Sequence, residues 1–131
     1  MFSLYPKNDR AKDVVAHPCN SHLVSIFPED STLVLDIGFN IRSQSRTTLA
    51  TVGRNDTDII LEGSSIARLQ CSFEIDLDTG VVMLYDRSNG QTTQVSGENA
   101  TPFEYGRLRR VVVQKELNTI LGMGGVECDL V

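Results

Sequence analysis

Cys71-Ser72-Phe73-Glu74-Ile75-Asp76, then Asp78-Thr79-Gly80, then Val81-Val82-Met83-Leu84-Tyr85 is the stretch that decides the fold class. Its first six residues alternate apolar and polar without a break. That period sends one row of side chains into a core and the other toward solvent, so the segment reads as a half-buried strand. Asp78-Thr79-Gly80 has turn chemistry, with side chains that bond their own backbone and a glycine free to take positive φ. Residues 81–85 then bring the chain back, and the pair predicts an antiparallel hairpin.

The same grammar extends in both directions. Short apolar runs at 23–27, 33–37, 49–52, 58–61, 92–95, 108–114, 118–121 and 127–131 read as strands. Turn composition divides them, as in Pro28-Glu29-Asp30-Ser31 and in Gly122, Gly124 and Gly125. No segment keeps a 3.6-residue apolar period for three turns. Roughly ten short strands with regular turn signals predict an all-β fold, a sandwich of two mainly antiparallel sheets with its binding loops at one end. The expected core is Leu23, Ile26, Val34, Ile60, Phe73, Ile75, Val82, Leu84, Val112 and Ile120. Residues 1–20, with Pro6, Asn8 and Pro18, read as an irregular N-terminal arm ahead of a domain at 21–131. The closing Cys128-Asp129-Leu130-Val131 is an apolar strand rather than a polar tail. It favours a segment of a longer protein over a terminus tied into a sheet.

Composition narrows the function. The 131 residues suit one domain that buries a core without disulfide or metal staples. A net charge of -5 argues against non-specific nucleic-acid binding, which needs a basic footprint, but leaves room for a local cationic pocket. Cys19, Cys71 and Cys128 are odd in number and far apart, and the last two sit in apolar runs. They read as thiols in a reducing, intracellular compartment, nucleus or cytoplasm. There is no signal-peptide pattern at residues 1–16 and no apolar run of membrane-spanning length. His17 and His22 stand near no recognisable nucleophile, and no His/Cys/Asp grouping has metal-ligand spacing. The expectation is a protein that is not an enzyme and takes no cofactor or metal. Gly122-Met123-Gly124-Gly125 lacks the Lys-Ser or Lys-Thr of a phosphate loop and reads as a tight hairpin. Arg107, Arg109 and Arg110 read as a solvated strand end.

Three polar clusters remain: Gly53-Arg54-Asn55-Asp56-Thr57-Asp58-Ile59, Ser65-Ile66-Ala67-Arg68-Leu69-Gln70 and Asp86-Arg87-Ser88-Asn89-Gly90. They bring arginines, hydroxyls and a side-chain amide toward one end of a β protein. Those groups grip a phosphate and the peptide backbone beside it. In order and spacing the clusters resemble the forkhead-associated (FHA) domain, whose pattern is G-R, D-I, S-x-x-H, D-x-S-x-N-G and then V-N-G. Here Gly53-Arg54, Asp58-Ile59 and a D-x-S-x-N-G shortened by one residue are present, and Val95-Ser96-Gly97 follows. Ala67 stands at the family's serine and Gln70 at its histidine.

The resemblance implies a phosphothreonine-binding β-sandwich that acts in signalling and does no catalysis. Arg54 would anchor the phosphate, with Ser65, Arg68 and Ser88 assisting. Asn89 would hold the ligand backbone. Gly53, Gln70 and Gly90 would support the loops. A phosphothreonine protein or peptide is the implied partner, and a longer parent with a kinase or other signalling domain is typical of the family. Ala67 cannot donate the family's hydroxyl, so a second reading stands beside the first: a degenerate FHA domain that docks or dimerises without phosphate.

Overall fold

The computed structural model describes residues 2–39, 41, 45–98, 100–104, 109–114 and 120–131. The strands are β1 (Phe2–Pro6), β2 (Val24–Ile26), β3 (Leu33–Ile37), β4 (Thr48–Gly53), β5 (Ile59–Ile60), β6 (Cys71–Ile75), β7 (Val82–Asp86), β8 (Thr93–Ser96), β9 (Arg110–Val112), β10 (Ile120–Met123) and β11 (Val126–Leu130). A helix α1 (Asp9–Ala16) and a 3-10 helix (Pro18–Leu23) precede β2. The hairpin that anchors the sequence reading forms β6 and β7, in the register Cys71↔Asp86, Phe73↔Leu84 and Ile75↔Val82. Gly80 turns it at φ 73.

Two sheets stack as expected for the sandwich. One has the order β2-β3-β1-β11-β10-β8 and the other β5-β4-β6-β7-β9. All pairs are antiparallel except β4 with β5. The inner faces meet through Phe2 of β1 and Phe73 of β6, whose ring centroids lie 5.1 Å apart. Cys71 and Met123 meet across the same gap, with their sulfurs 3.6 Å apart. Phe73, Leu84, Leu121 and Ile59 are wholly buried. Each such side chain contributes about 1.5–3 kcal/mol by leaving water.

The N-terminal segment corrects the sequence reading, because it is not an irregular arm. β1 lies inside the six-stranded sheet, paired with β3 (Leu4↔Leu35) and with β11 (Leu4↔Leu130). Pro6 is tolerated because it closes the strand, where a missing N–H costs least. Asn8 caps α1 by accepting from the Ala11 amide at 2.9 Å. Ala11, Val14 and Val15 turn the helix's apolar face into the core. Buried Asn20 then docks on β5: it accepts from the Ile60 amide at 2.8 Å and donates to the Ile60 carbonyl at 2.9 Å.

Four expected core residues are also corrected. Ile26 is 64% exposed, on edge strand β2, and Ile60, Val112 and Ile120 are only half-buried. Their neighbours Ile59, Leu61, Val111 and Leu121 take the inward positions. In apolar doublets and triplets the alternation carries no phase, so one face cannot be told from the other.

Cys71 and Cys128 are buried and Cys19 is exposed. Burial pushes the Cys71 thiol far up and the Cys128 thiol up to about 12. A thiol-reactive probe is therefore expected to modify the native protein once, at Cys19, since thiolate and access are both required. Native modification of Cys71 or Cys128, read by peptide mass mapping, would contradict this core.

Candidate functional site

The candidate site is built where β4 ends, β6 begins, β7 ends and β8 begins. The loops that join them, 54–58, 61–70 and 87–92, therefore share one rim. β7 and β8 lie in different sheets, so Asn89-Gly90 belongs to a crossing between sheets and is no hairpin turn.

Gly53 sets the closest approach. A Cβ there would lie 2.1 Å from the Arg68 carbonyl oxygen and 3.0 Å from the Leu69 Cα, both backbone atoms. Only glycine lets β4 pass under the 61–70 loop at this distance. The Arg54 amide then donates to the Ala67 and Arg68 carbonyls, at 3.1 Å each. Asp58 ties the return: its carboxylate accepts from the Thr51 amide at 2.8 Å and the Thr51 hydroxyl at 3.0 Å.

Gln70 is wholly buried, and its side chain makes three hydrogen bonds. Its Oε1 accepts from the Ala67 amide at 3.0 Å, and its Nε2 donates to the hydroxyls of Thr92 and Thr93 at 2.9 Å each. A side-chain amide offers both a donor and an acceptor at one end, so Gln70 braces two loops at once. Asp86, also buried, braces the 87–92 loop from its other end. Its Oδ1 accepts from the Ser88 amide at 3.1 Å and the Ser88 hydroxyl at 2.6 Å, and its Oδ2 pairs with Arg109. The Arg109 guanidinium lies 4.3 Å from the centre of the Phe103 ring.

Arg109 is thus an inner ion-pair partner, and the solvated strand end read from sequence is corrected there. Arg110 is exposed and pairs with Glu104 at 3.2 Å. Arg107 lies outside the described residues, as do the starts of the runs placed at 108–114 and 118–121.

Between these loops lies an open cleft of about 530 Å³. Arg54, Ser65, Arg68, Ser88 and Asn89 all line it, with Ser64, Ala67, Arg87 and Thr92. The five residues singled out in the sequence are therefore brought together, though they span 36 positions of chain (89 minus 54, counting both ends). Arg54 and Arg68 are exposed, and among the described residues neither guanidinium has a hydrogen bond or ion pair. Arg87 is neutralised by Glu74 and lies 5.0 Å from the Tyr85 ring centre. Among the described residues no carboxylate lines the cleft. In a chain of net charge -5, the lining of this cleft is locally cationic, although the rim loops around it also carry Asp56, Asp58 and Glu62.

Two of these hydroxyls have partners within the protein. Ser65 donates its proton to the Gly124 carbonyl at 2.7 Å. Ser88 donates to Asp86 and accepts from the Thr92 amide at 2.9 Å. Both hydroxyls serve the loops themselves. Ser64, which lines the cleft and has no partner among the described residues, is the free hydroxyl beside Ala67. Gly90 does not take the left-handed backbone; Gln91 does, at φ 54. Nor would a Cβ on Gly90 meet more than an ordinary contact, 3.5 Å to Thr92. Glycine is therefore not required at position 90.

Among the described residues no group of three His, Cys, Asp or Glu side chains is placed to hold a metal, and no helix is long and apolar enough to cross a membrane. Residues 50–110 match the family model of the FHA domain, a span that contains all three rim loops. No curated protein and no solved structure matches the chain at a significant level.

Proposed function

We infer that this chain, which carries an FHA domain, captures a phosphothreonine in a partner protein and does no chemistry on it. FHA domains are in general non-catalytic binding modules for phosphopeptides. The observation that carries the reading is the pair of guanidiniums, Arg54 and Arg68, both without a protein partner among the described residues and both on one cleft with Asn89. A permanently charged, forked donor suits phosphate oxygens, and two such forks offset the donor missing at Ala67. Arg54 anchors the phosphate, Arg68 supplies the second cation, and Ser64 supplies a hydroxyl. Asn89 bonds the ligand backbone through its amide. Ser65 and Ser88 support the loops and do not touch the ligand. Preference for threonine over serine, a role in signalling inside the cell and a longer parent protein with a kinase or similar domain follow from the family resemblance.

Calorimetry against a phosphothreonine peptide library and its unphosphorylated twins tests the reading. Binding of the phosphorylated forms alone is expected. Equal affinity for both forms, or none for either, favours the phosphate-independent docking that Ala67 and the two committed serines would suit. Asn89→Ala is expected to weaken the phosphopeptide about tenfold, the worth of one or two net hydrogen bonds. It should leave thermal unfolding in place, since Asn89 is exposed and has no partner among the described residues.

A further inference from the structure

We propose that Arg10, on the N-terminal helix, is a positioning residue of the recognition cleft: it clamps the 61–70 loop in the shape that presents Ser64, Ala67 and Arg68 to a ligand. The proposal rests on the phosphopeptide reading of that cleft. Arg10 lies far outside the segment that matches the family. Its guanidinium nevertheless reaches three acceptors in two parts of the chain, the 61–70 loop and the turn at Gly124. Nη1 donates to the Gly124 carbonyl at 2.6 Å and to the Ser65 hydroxyl at 3.2 Å, and Nη2 donates to the Glu62 carbonyl at 3.4 Å.

The surroundings are shaped for this one group. Gly63 and Gly125 both take positive φ, at 127 and 96. A Cβ on Gly125 would lie 2.3 Å from Arg10 Nη1, and one on Gly63 would lie 2.8 Å from Nη2. Glycines thus leave a notch on two sides of a planar cation. A flat fork with several donors in fixed directions can satisfy acceptors from separate segments at once, and because it is pre-organised it loses less freedom per bond than a flexible ammonium does. The base from which Arg10 reaches is itself held. Asn8 donates to the Gly125 carbonyl at 2.9 Å, and His17 meets the Glu62 carboxylate at 2.9 Å. The buried face of α1 completes the anchorage.

The consequence for binding is preorganisation. A loop already ordered before the ligand arrives loses less conformational freedom on binding. Ser65 is the link: its hydroxyl is held by Arg10 and Gly124, and Ala67 and Arg68 follow two and three residues on.

Amide hydrogen exchange and calorimetry on Arg10→Ala and Arg10→Lys of the whole chain test the clamp. The ligand is a phosphothreonine peptide selected by the wild-type protein, with its unphosphorylated twin as control. In Arg10→Ala the Ile66 and Ala67 amides are expected to exchange at least about tenfold faster, while the Leu84 and Cys128 amides keep their rates. The peptide Kd is expected to rise about tenfold, equivalent to 1.4 kcal/mol. Arg10→Lys keeps the charge on a compact ammonium but loses the planar fork; it is expected to fall between, and it carries the test if the alanine variant does not fold. A loosened loop with an unchanged Kd overturns the proposal, as does acceleration of loop and core amides together. If the wild-type protein selects no phosphopeptide, the reading of the cleft fails. The exchange rates then still decide whether Arg10 holds the loop.

Discussion

Arg54→Ala is expected to lower phosphothreonine-peptide affinity by at least about a hundredfold while the thermal unfolding midpoint stays where it is. Each hydrogen bond to a charged group contributes about 1.5–3 kcal/mol, and a guanidinium fork makes two to a phosphate, so the loss reaches at least about 3 kcal/mol. At 1.4 kcal/mol per decade that is two orders of magnitude. Stability should not follow, because the Arg54 side chain is exposed and holds no other described residue. Its structural work is done by the backbone amide, which alanine retains. Arg54→Lys should recover part of the affinity as a point charge without the fork. Calorimetry at two salt concentrations checks both variants, with the salt dependence shallower in the alanine form. Undiminished affinity in Arg54→Ala would remove this residue from the phosphate site.

Much of this end of the molecule was legible in the sequence, for local reasons. Gly53-Arg54 and Asp86-Arg87-Ser88-Asn89-Gly90 mark strand ends, and the alternation in residues 71–76 tells which strands bracket them. The close contact under Gly53 and the bracing by Gln70 agree with what those residue types do best. What escaped was set by distant partners. Ser65 is committed to Gly124, 59 residues away, and Arg10 to the same carbonyl, 114 away. No window of sequence contains both members of such a pair.

The N-terminal segment escaped for a related reason. β1 alternates buried and half-buried positions, but its partners are Ile37 and Leu130, and Pro6 reads locally as a breaker. α1 has only eight residues, too few for its period to stand out. It is stabilised by the face it buries rather than by propensity. Edge position, not composition, exposed Ile26, whose cross-strand partner Leu33 is exposed as well.

Asp86→Ala is expected to be the most destabilising of the substitutions at the rim, and to weaken ligand binding as well. The Asp86 carboxylate is almost wholly buried and pairs with Arg109, whose side chain is 10% exposed. Removing one partner of such a pair leaves a cation largely out of water without its carboxylate, at a cost of about 3–5 kcal/mol. For a domain of this size the unfolding midpoint should fall by about 10 °C or more. The same oxygen set holds the Ser88 amide and hydroxyl, so the loop carrying Asn89 loses its latch. These two effects separate in a double variant. Asp86→Leu with Arg109→Leu removes both charges together, and apolar replacement of a whole buried pair is often close to neutral in stability. Its midpoint should therefore return most of the way toward wild type. Affinity should not return, because no acceptor remains for Ser88. Thermal unfolding and calorimetry on the single and double variants check this. Recovery of both quantities together would mean that the pair acts on the fold alone and that the 87–92 loop needs no latch.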